Sequence, residues 1–189
     1  MVVGWIIGGI VALVLILIAL AIYYYNKFTV MDNRIGNSMS QIDVQLKKRA
    51  DLIPALIKVV SGYAKHEKKI LTEVTAARAS LLKAGDISKR IKAGDALEGA
   101  LGRLFAVAEN YPVLKANENF LHLQTELSAI EDKVAYARQY YNDSILDYEN
   151  STEQLPGVFF FSLFRFQKKE YLKIPEAEKS MPKIEFEEW

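Results

Sequence analysis

No cysteine occurs in the 189 residues, which excludes a disulfide scaffold, a thiolate metal site, an iron–sulfur cluster and a cysteine nucleophile. Only two histidines are present, His66 and His122, so little is left for the usual acid–base or metal chemistry. Charge is missing from the first 26 residues: all 24 Lys and Arg and all 23 Asp and Glu lie from Lys27 onward. No alternating strand pattern of useful length appears, since only Lys183 to Phe186 alternates and four residues do not define a strand. Glycine-rich phosphate and dinucleotide loops are absent, as is the Gly-x-Ser-x-Gly elbow. His66-Glu67 opens like a zinc-protease helix, but Ile70 stands where the second histidine is needed. Glu118 and His122 are four apart, not the three that a di-iron bundle uses. Neither a cofactor nor a resident metal is therefore expected. A length of 189 residues leaves room for one modest domain and an appendage.

The uncharged head sets the location. Val2 to Ile22 consists of Val, Ile, Leu, Ala and Gly with one Trp, and at about 1.5 Å per helical residue it matches a hydrocarbon layer of about 30 Å. Trp5 at one end and Tyr23, Tyr24 and Tyr25 at the other, followed by Lys27, stand where interfacial anchors belong. A cleaved signal peptide is the competing reading, because Ala19-Leu20-Ala21 resembles a small-x-small site; the missing basic n-region and the length of the apolar run oppose it. Basic residues follow the span (Lys27, Arg34, Lys47, Lys48, Arg49) and none precedes it, which predicts the amino terminus outside and the body in the cytoplasm. Residues 27–92 hold 14 basic and 6 acidic side chains, net +8, and residues 93–189 hold 10 and 17, net −7. The membrane-proximal half is thus suited to anionic headgroups, or simply presents a solvated face. Gly4, Gly8 and Ala12 fall on one helix face and offer a close-packing seam between spans, so a homo-oligomer is expected.

Beyond the membrane the period is helical. Phe28, Met31, Ile35, Met39, Ile42, Leu46, Ala50, Ile53, Ile57, Val60 and Ala64 advance by threes and fours, and Leu71, Val74 and Ala77 resume the stripe. One long helix, or two in line, is expected, with a kink or break near 50–54 where Pro54 removes a hydrogen bond. Residues 84–95 read as a mobile turn. A second helix follows with Leu97, Leu101, Leu104 and Ala108 inward, stopped by Tyr111-Pro112. A third runs from about Asn117 to Leu155, where Pro156-Gly157 ends it, and its carboxylates, Glu131 among them, lie off the apolar stripe. The predicted fold is all-α: an N-terminal transmembrane helix (1–26), a long antiparallel bundle of three long helices (27–156), and a short C-terminal segment (157–189). That last segment gathers Phe159, Phe160, Phe161, Phe164 and Phe166 around Arg165, with Lys168 and Lys169 following. It either covers a groove of the bundle or dips into the membrane interface.

Several ordered blocks carry a resemblance. Gln41 to Pro54 (QIDVQLKKRADLIP), Gly62-Tyr63-Ala64-x-His66-Glu67, Ala108 to Phe120 around Asn110, Tyr111, Pro112, Lys115, Asn117 and Asn119, and Ala137-Arg138-x-x-Tyr141-Asn142 resemble the signature blocks of the LemA family, with Tyr25-Asn26 and Pro182-x-Ile184-x-Phe186 as outer markers. Ala55, Leu155 and Glu149-Asn150 depart from the family pattern. The resemblance implies one amino-terminal transmembrane helix with a helical bundle, an association with bacterial membranes and a part in membrane or envelope organisation, and it implies no reaction; the bacterial inner membrane is the expected location. The expected function is a non-enzymatic, self-associating membrane scaffold whose partners are the lipid bilayer, copies of itself and an unidentified protein. A membrane-bound enzyme or ligand-binding bundle using the 110–119 turn is the alternative. Nucleic acid is not an expected partner, because the basic half lacks interleaved aromatics.

Overall fold

The computed structural model describes residues 1–172, and the Lys183–Phe186 alternation and the Pro182-to-Phe186 marker lie outside them. Among the described residues all regular structure is helical: α1 (Val2–Tyr63), α2 (Lys68–Lys83), α3 (Ile87–Ala108), α4 (Pro112–Lys115), α5 (Glu118–Glu153) and α6 (Gly157–Leu163). Two compact units divide the chain, one formed by residues 1–31 with those from 141 onward, the other by residues 32–140.

The second unit is an up-down-up-down bundle. Arg78 on α2 reaches the carbonyl of Ala50 on α1, so α2 folds back along α1 and does not continue in line with it as the stripe implied. Arg90 pairs with Asp43 and Gly94 packs on Leu46, so α3 runs parallel to α1. Tyr63 meets Asn117 on the connection into α5, and Arg49 pairs with Glu131, so α5 returns. The apolar stripes close against one another, with Ile42, Leu46, Ile53, Leu56, Leu97, Leu104 and Val134 fully buried. Each contributes roughly 1.5–3 kcal/mol on removal from water.

Three local outcomes depart from the sequence pattern. The helix runs through Pro54 without a break, because the carbonyl that proline leaves without an in-helix donor, that of Ala50, accepts from Arg78 Nε at 2.7 Å. Pro54 itself is exposed, off the buried stripe of α1. The expected turn at 84–95 is confined to Ala84–Asp86, and residues 87–95 form the first turns of α3. The apolar residues there are core: Ile91, Ala93 and Gly94 are buried. Gly94 is a close-approach residue and not a turn former, since a Cβ on it would stand 2.7 Å from Leu46 Cδ2. Arg90 closes this turn by donating to the Ala84 carbonyl at 3.1 and 2.9 Å. The bundle accordingly has four principal helices where three were expected.

In the first unit, the apolar start of α1 is exposed throughout. Below it, Phe28 is fully buried among Tyr148 of α5 and Phe161 and Phe166 of the carboxyl segment. Tyr141, Ile145, Tyr148 and Thr152 of α5 face the same core. After Glu153 the chain turns, forms α6, and descends along α5. Tyr148 Oη donates to the Gln167 carbonyl at 3.0 Å, and Tyr141 Oη to that of Glu170 at 3.1 Å. Asn142 both accepts from the Leu172 amide (2.9 Å) and donates to its carbonyl (3.2 Å).

Candidate functional site

Aromatic rings and a tight turn build the site at the foot of the apolar segment. Tyr24 stacks on Phe160 with centroids 5.1 Å apart and planes 10° from parallel. Tyr25 meets Phe164 at 5.2 Å and Phe166 at 5.9 Å, and Lys27 Nζ lies 5.9 Å from the Tyr24 centroid. Such pairs add about 0.5–1.5 kcal/mol each beyond the area they bury. Gly157 permits the turn: a Cβ there would fall 2.1 Å from the Ser151 carbonyl oxygen.

The end of α6 fixes how the following residues are presented. Phe166 N–H bonds the Phe161 carbonyl and Arg165 N–H bonds that of Ser162, both at 3.3 Å, which is the Schellman closure of a helix. Its left-handed position is held by Arg165 at φ 57°, where glycine is the ordinary choice. The Arg165 side chain is exposed, while Phe160, Phe161, Phe164 and Phe166 are partly covered by the rings described above. Phe159 points the other way and is 68% exposed, in company with Leu155 and Leu163. Leu155, expected to close the third helix, lies beyond it because α5 ends at Glu153.

Of the interfacial residues expected from sequence, Trp5, Tyr23 and Tyr25 are exposed and Tyr24 and Lys27 half-buried. Gly4, Gly8 and Ala12 are exposed as well, and nothing lies within 4 Å of a Cβ built on either glycine.

At the α1–α2 turn end of the second unit, the 110–119 residues divide. Tyr111 Oη donates to Glu67 at 2.9 Å, a bond that raises the phenol's pKa by favouring its protonated form. Asn117 donates to Tyr63 Oη at 3.1 Å and accepts from the Phe120 amide at 3.1 Å, capping α5. Pro112 opens α4 at a position that tolerates proline. Asn110, Lys115 and Asn119 are exposed. Two open depressions of about 570 and 670 Å³ flank Tyr63, Asn117 and Asn119. Among the described residues no group of three His, Asp or Glu side chains is arranged to hold a metal.

A buried charge network in the same unit escaped the sequence reading. Arg49, counted there among the basic flank of the span, is 1% exposed. It donates to the Glu131 carboxylate, lies 3.9 Å from Glu98 and 3.5 Å from the Gly94 carbonyl. Desolvation lowers its pKa against the raising effect of Glu98. Arg138 pairs with Asp95 beside it. Glu131 is therefore an inward partner and not a solvated carboxylate. The missed signal is spacing by seven: Ile35, Ile42, Arg49 and Leu56 are all buried, which puts Arg49 on the core seam, with Leu56 there in place of Ile57. A cavity of about 270 Å³ adjoins the network, lined by Arg49, Glu98 and Glu131 with Leu101, Phe105 and Leu127.

Residues of the resembling blocks thus contact one another, Tyr63 with Asn117 and Glu67 with Tyr111, while Arg49 and Arg138 pair with carboxylates that lie outside the blocks. The chain is similar to the magnetosome proteins MamQ 1 and MamQ 2 of Paramagnetospirillum magneticum, each 28% identical over 182 residues, covering 82% of this chain and 67% of theirs. It is similar to Protein LemA of Metamycoplasma hominis, 28% identical over 137 residues, which cover 67% of this chain and 61% of that one. The chain spans about two thirds of the length of these relatives. The sequence profile described as LemA family matches residues 38–186, and with its apolar first helix and its helical bundle this membrane-associated chain belongs to the LemA family.

Proposed function

We propose that the chain is a non-enzymatic, membrane-anchored helical scaffold: α1 is retained as a single span with its amino terminus outside, and the bundle stands in the cytoplasm and recruits copies of itself or a protein partner. One observation carries the reading, the distribution of apolar surface. The most apolar stretch of α1 has none of its residues buried, so it is not the core helix of a soluble bundle and needs a bilayer or another span around it. Retention is favoured by continuity, because α1 runs unbroken from Val2 to Tyr63 and its Tyr24, Tyr25 and Phe28 rings are packed into the folded unit. The basic residues Lys27, Arg34, Lys47 and Lys48 beyond the span support the cytoplasmic orientation.

Self-association is supported by the exposed small residues of the Gly4, Gly8, Ala12 face, which allow a second span to approach closely. A non-enzymatic role is supported by the engagement of Tyr111 and Asn117 in structural bonds and by relatives whose names are not those of enzymes. A part in organising a bacterial inner membrane suits relatives named for the magnetosome. The test is the size of the full chain extracted in native lipid. A discrete oligomer, reduced by Gly4→Leu with Gly8→Leu, is expected; a monodisperse monomer without a co-purifying protein would contradict the scaffold.

A further inference from the structure

We propose that the turn from Leu155 to Phe166 is an interfacial foot. Its outer face, Leu155, Phe159 and Leu163, enters the headgroup layer of the bilayer that α1 crosses, and Arg165 with Lys27 meets anionic headgroups there. The inference rests on α1 being retained as a span.

α6 has two apolar faces and the protein covers one of them. Phe160, Phe161 and Phe164 turn to Tyr24, Phe28, Tyr25 and Tyr148. Leu155, Phe159 and Leu163, spaced by four, are 74, 68 and 66% exposed. Depth decides what covers the second face. The rings tie α6 to Tyr24, Tyr25 and Phe28, two to six residues past Ile22, which is about 3–9 Å along a helix axis. The headgroup layer is about 5–7 Å thick on each side of the hydrocarbon, and interfacial helices seat their apolar faces about 5–10 Å into that boundary. The foot therefore lies where lipid is already present.

Charge agrees with this placement. Lys27 stands over the Tyr24 ring, and Arg165 is exposed in a left-handed conformation that side chains adopt at a cost. Lys168 bonds Glu153 at 2.9 Å and is excluded from the set. A second copy is the rival occupant, but three large side chains of about 150–250 Å² each, some two thirds to three quarters exposed, present roughly 400 Å². A standard interface needs about 800 Å² per partner.

Absence of native cysteine makes the test direct. Nitroxides are attached to the full-length chain at Phe159→Cys, Ala12→Cys and Asn119→Cys. Collisions with oxygen, enriched in lipid, and with a nickel chelate, confined to water, are measured in phosphatidylcholine–phosphatidylglycerol vesicles. Circular dichroism confirms the fold. Expected is a Phe159 label that resembles the Ala12 label and loses the nickel collisions that the Asn119 label keeps. Arg165→Gln should reduce its lipid exposure about fivefold, the factor for one cation at an anionic surface, and should change nothing in phosphatidylcholine alone. A Phe159 label open to nickel overturns the foot, as does one shielded from both reagents, which would mean a protein cover. A Phe159 signal insensitive to Arg165→Gln in both vesicles overturns the anionic-headgroup contact. An Ala12 label open to nickel overturns the span itself and the foot with it.

Discussion

The two compact units solve the same problem, closing helices around a core, with different chemistry. The core of the 32–140 unit is mostly aliphatic, with the Phe105–Phe120 pair, and takes charge inside: Arg49 is buried against Glu131 and Glu98, and Arg138 against Asp95. The unit built from residues 1–31 with those from 141 onward is aromatic around Phe28, and its exposed apolar side chains run from Val2 through Tyr25 and again from Leu155 to Leu163. A buried ion pair contributes little net stability but fixes which side chains face each other. Ring clusters tolerate a mixed environment, since the tyrosine hydroxyls can reach water or headgroups while the ring bodies stay dry. One unit is thus specified by pairing and the other is adapted to a boundary between solvents.

Breaking one partner of the buried pair should have the largest effect. Glu131→Ala leaves Arg49 with the Gly94 carbonyl and the more distant carboxylate of Glu98, and a loss of about 3 kcal/mol is expected in urea unfolding of the full chain in detergent. Arg49→Met combined with Glu131→Leu should recover most of it. Gly157→Ala comes next. Its Cβ would collide with a backbone oxygen that cannot rotate away, so about 2–3 kcal/mol should be lost. Protease cleavage near α6 should rise while the 32–140 unit keeps its protection. Gly94→Ala in that unit meets only the end of Leu46 and should cost less than Gly157→Ala in the same assay.

How much of this was legible in the sequence depends on the element. Stripes at threes and fours gave the helical class, the inward faces of Leu97, Leu101 and Leu104, and the extent of α5, because side-chain period follows backbone geometry directly. The hairpin of α2 on α1 was not legible: Ala64 to Glu67 lacks glycine and proline, and the reversal is marked by partners distant in sequence, Glu67 with Tyr111 and Tyr63 with Asn117. Pro54 misled for a related reason, since its compensating donor lies 24 residues downstream at Arg78. At the candidate site, spacing identified the phenylalanines. It could not divide Phe159 from Phe160, Phe161 and Phe164, because the division arises where α6 meets Tyr24 and Tyr25. Arg49 was legible at a period of seven and was hidden by treating charge as surface.

A smaller effect sharpens the proline account. Arg78→Met should cost about 1 kcal/mol by leaving the Ala50 carbonyl without its donor. In a Pro54→Ala background, where residue 54 supplies an amide to that carbonyl, the cost should vanish. A double-mutant cycle with additive effects would remove the compensation argument.

The smallest expected effect lies on the strap along α5. Tyr171 Oη donates to Glu149 at 2.7 Å, and this bond above all pushes the phenol's pKa to about 12 from 10. A folded-state pKa raised above the unfolded value means that the contact's contribution is full below about pH 10 and disappears as pH rises through about 12. Ultraviolet titration should show one tyrosine ionising near pH 12 that Glu149→Gln shifts downward; a titration unchanged by that substitution would contradict the Tyr171–Glu149 bond.

Topology remains the most direct test of the account as a whole. Single cysteines at Val2 and Trp189 in the full chain are exposed to an impermeant thiol reagent in intact cells. The account predicts labelling at Val2 without lysis and at Trp189 only after it. Trp189 labelled in intact cells, or a mature chain from which the Val2 site has been removed, would contradict an anchored cytoplasmic scaffold.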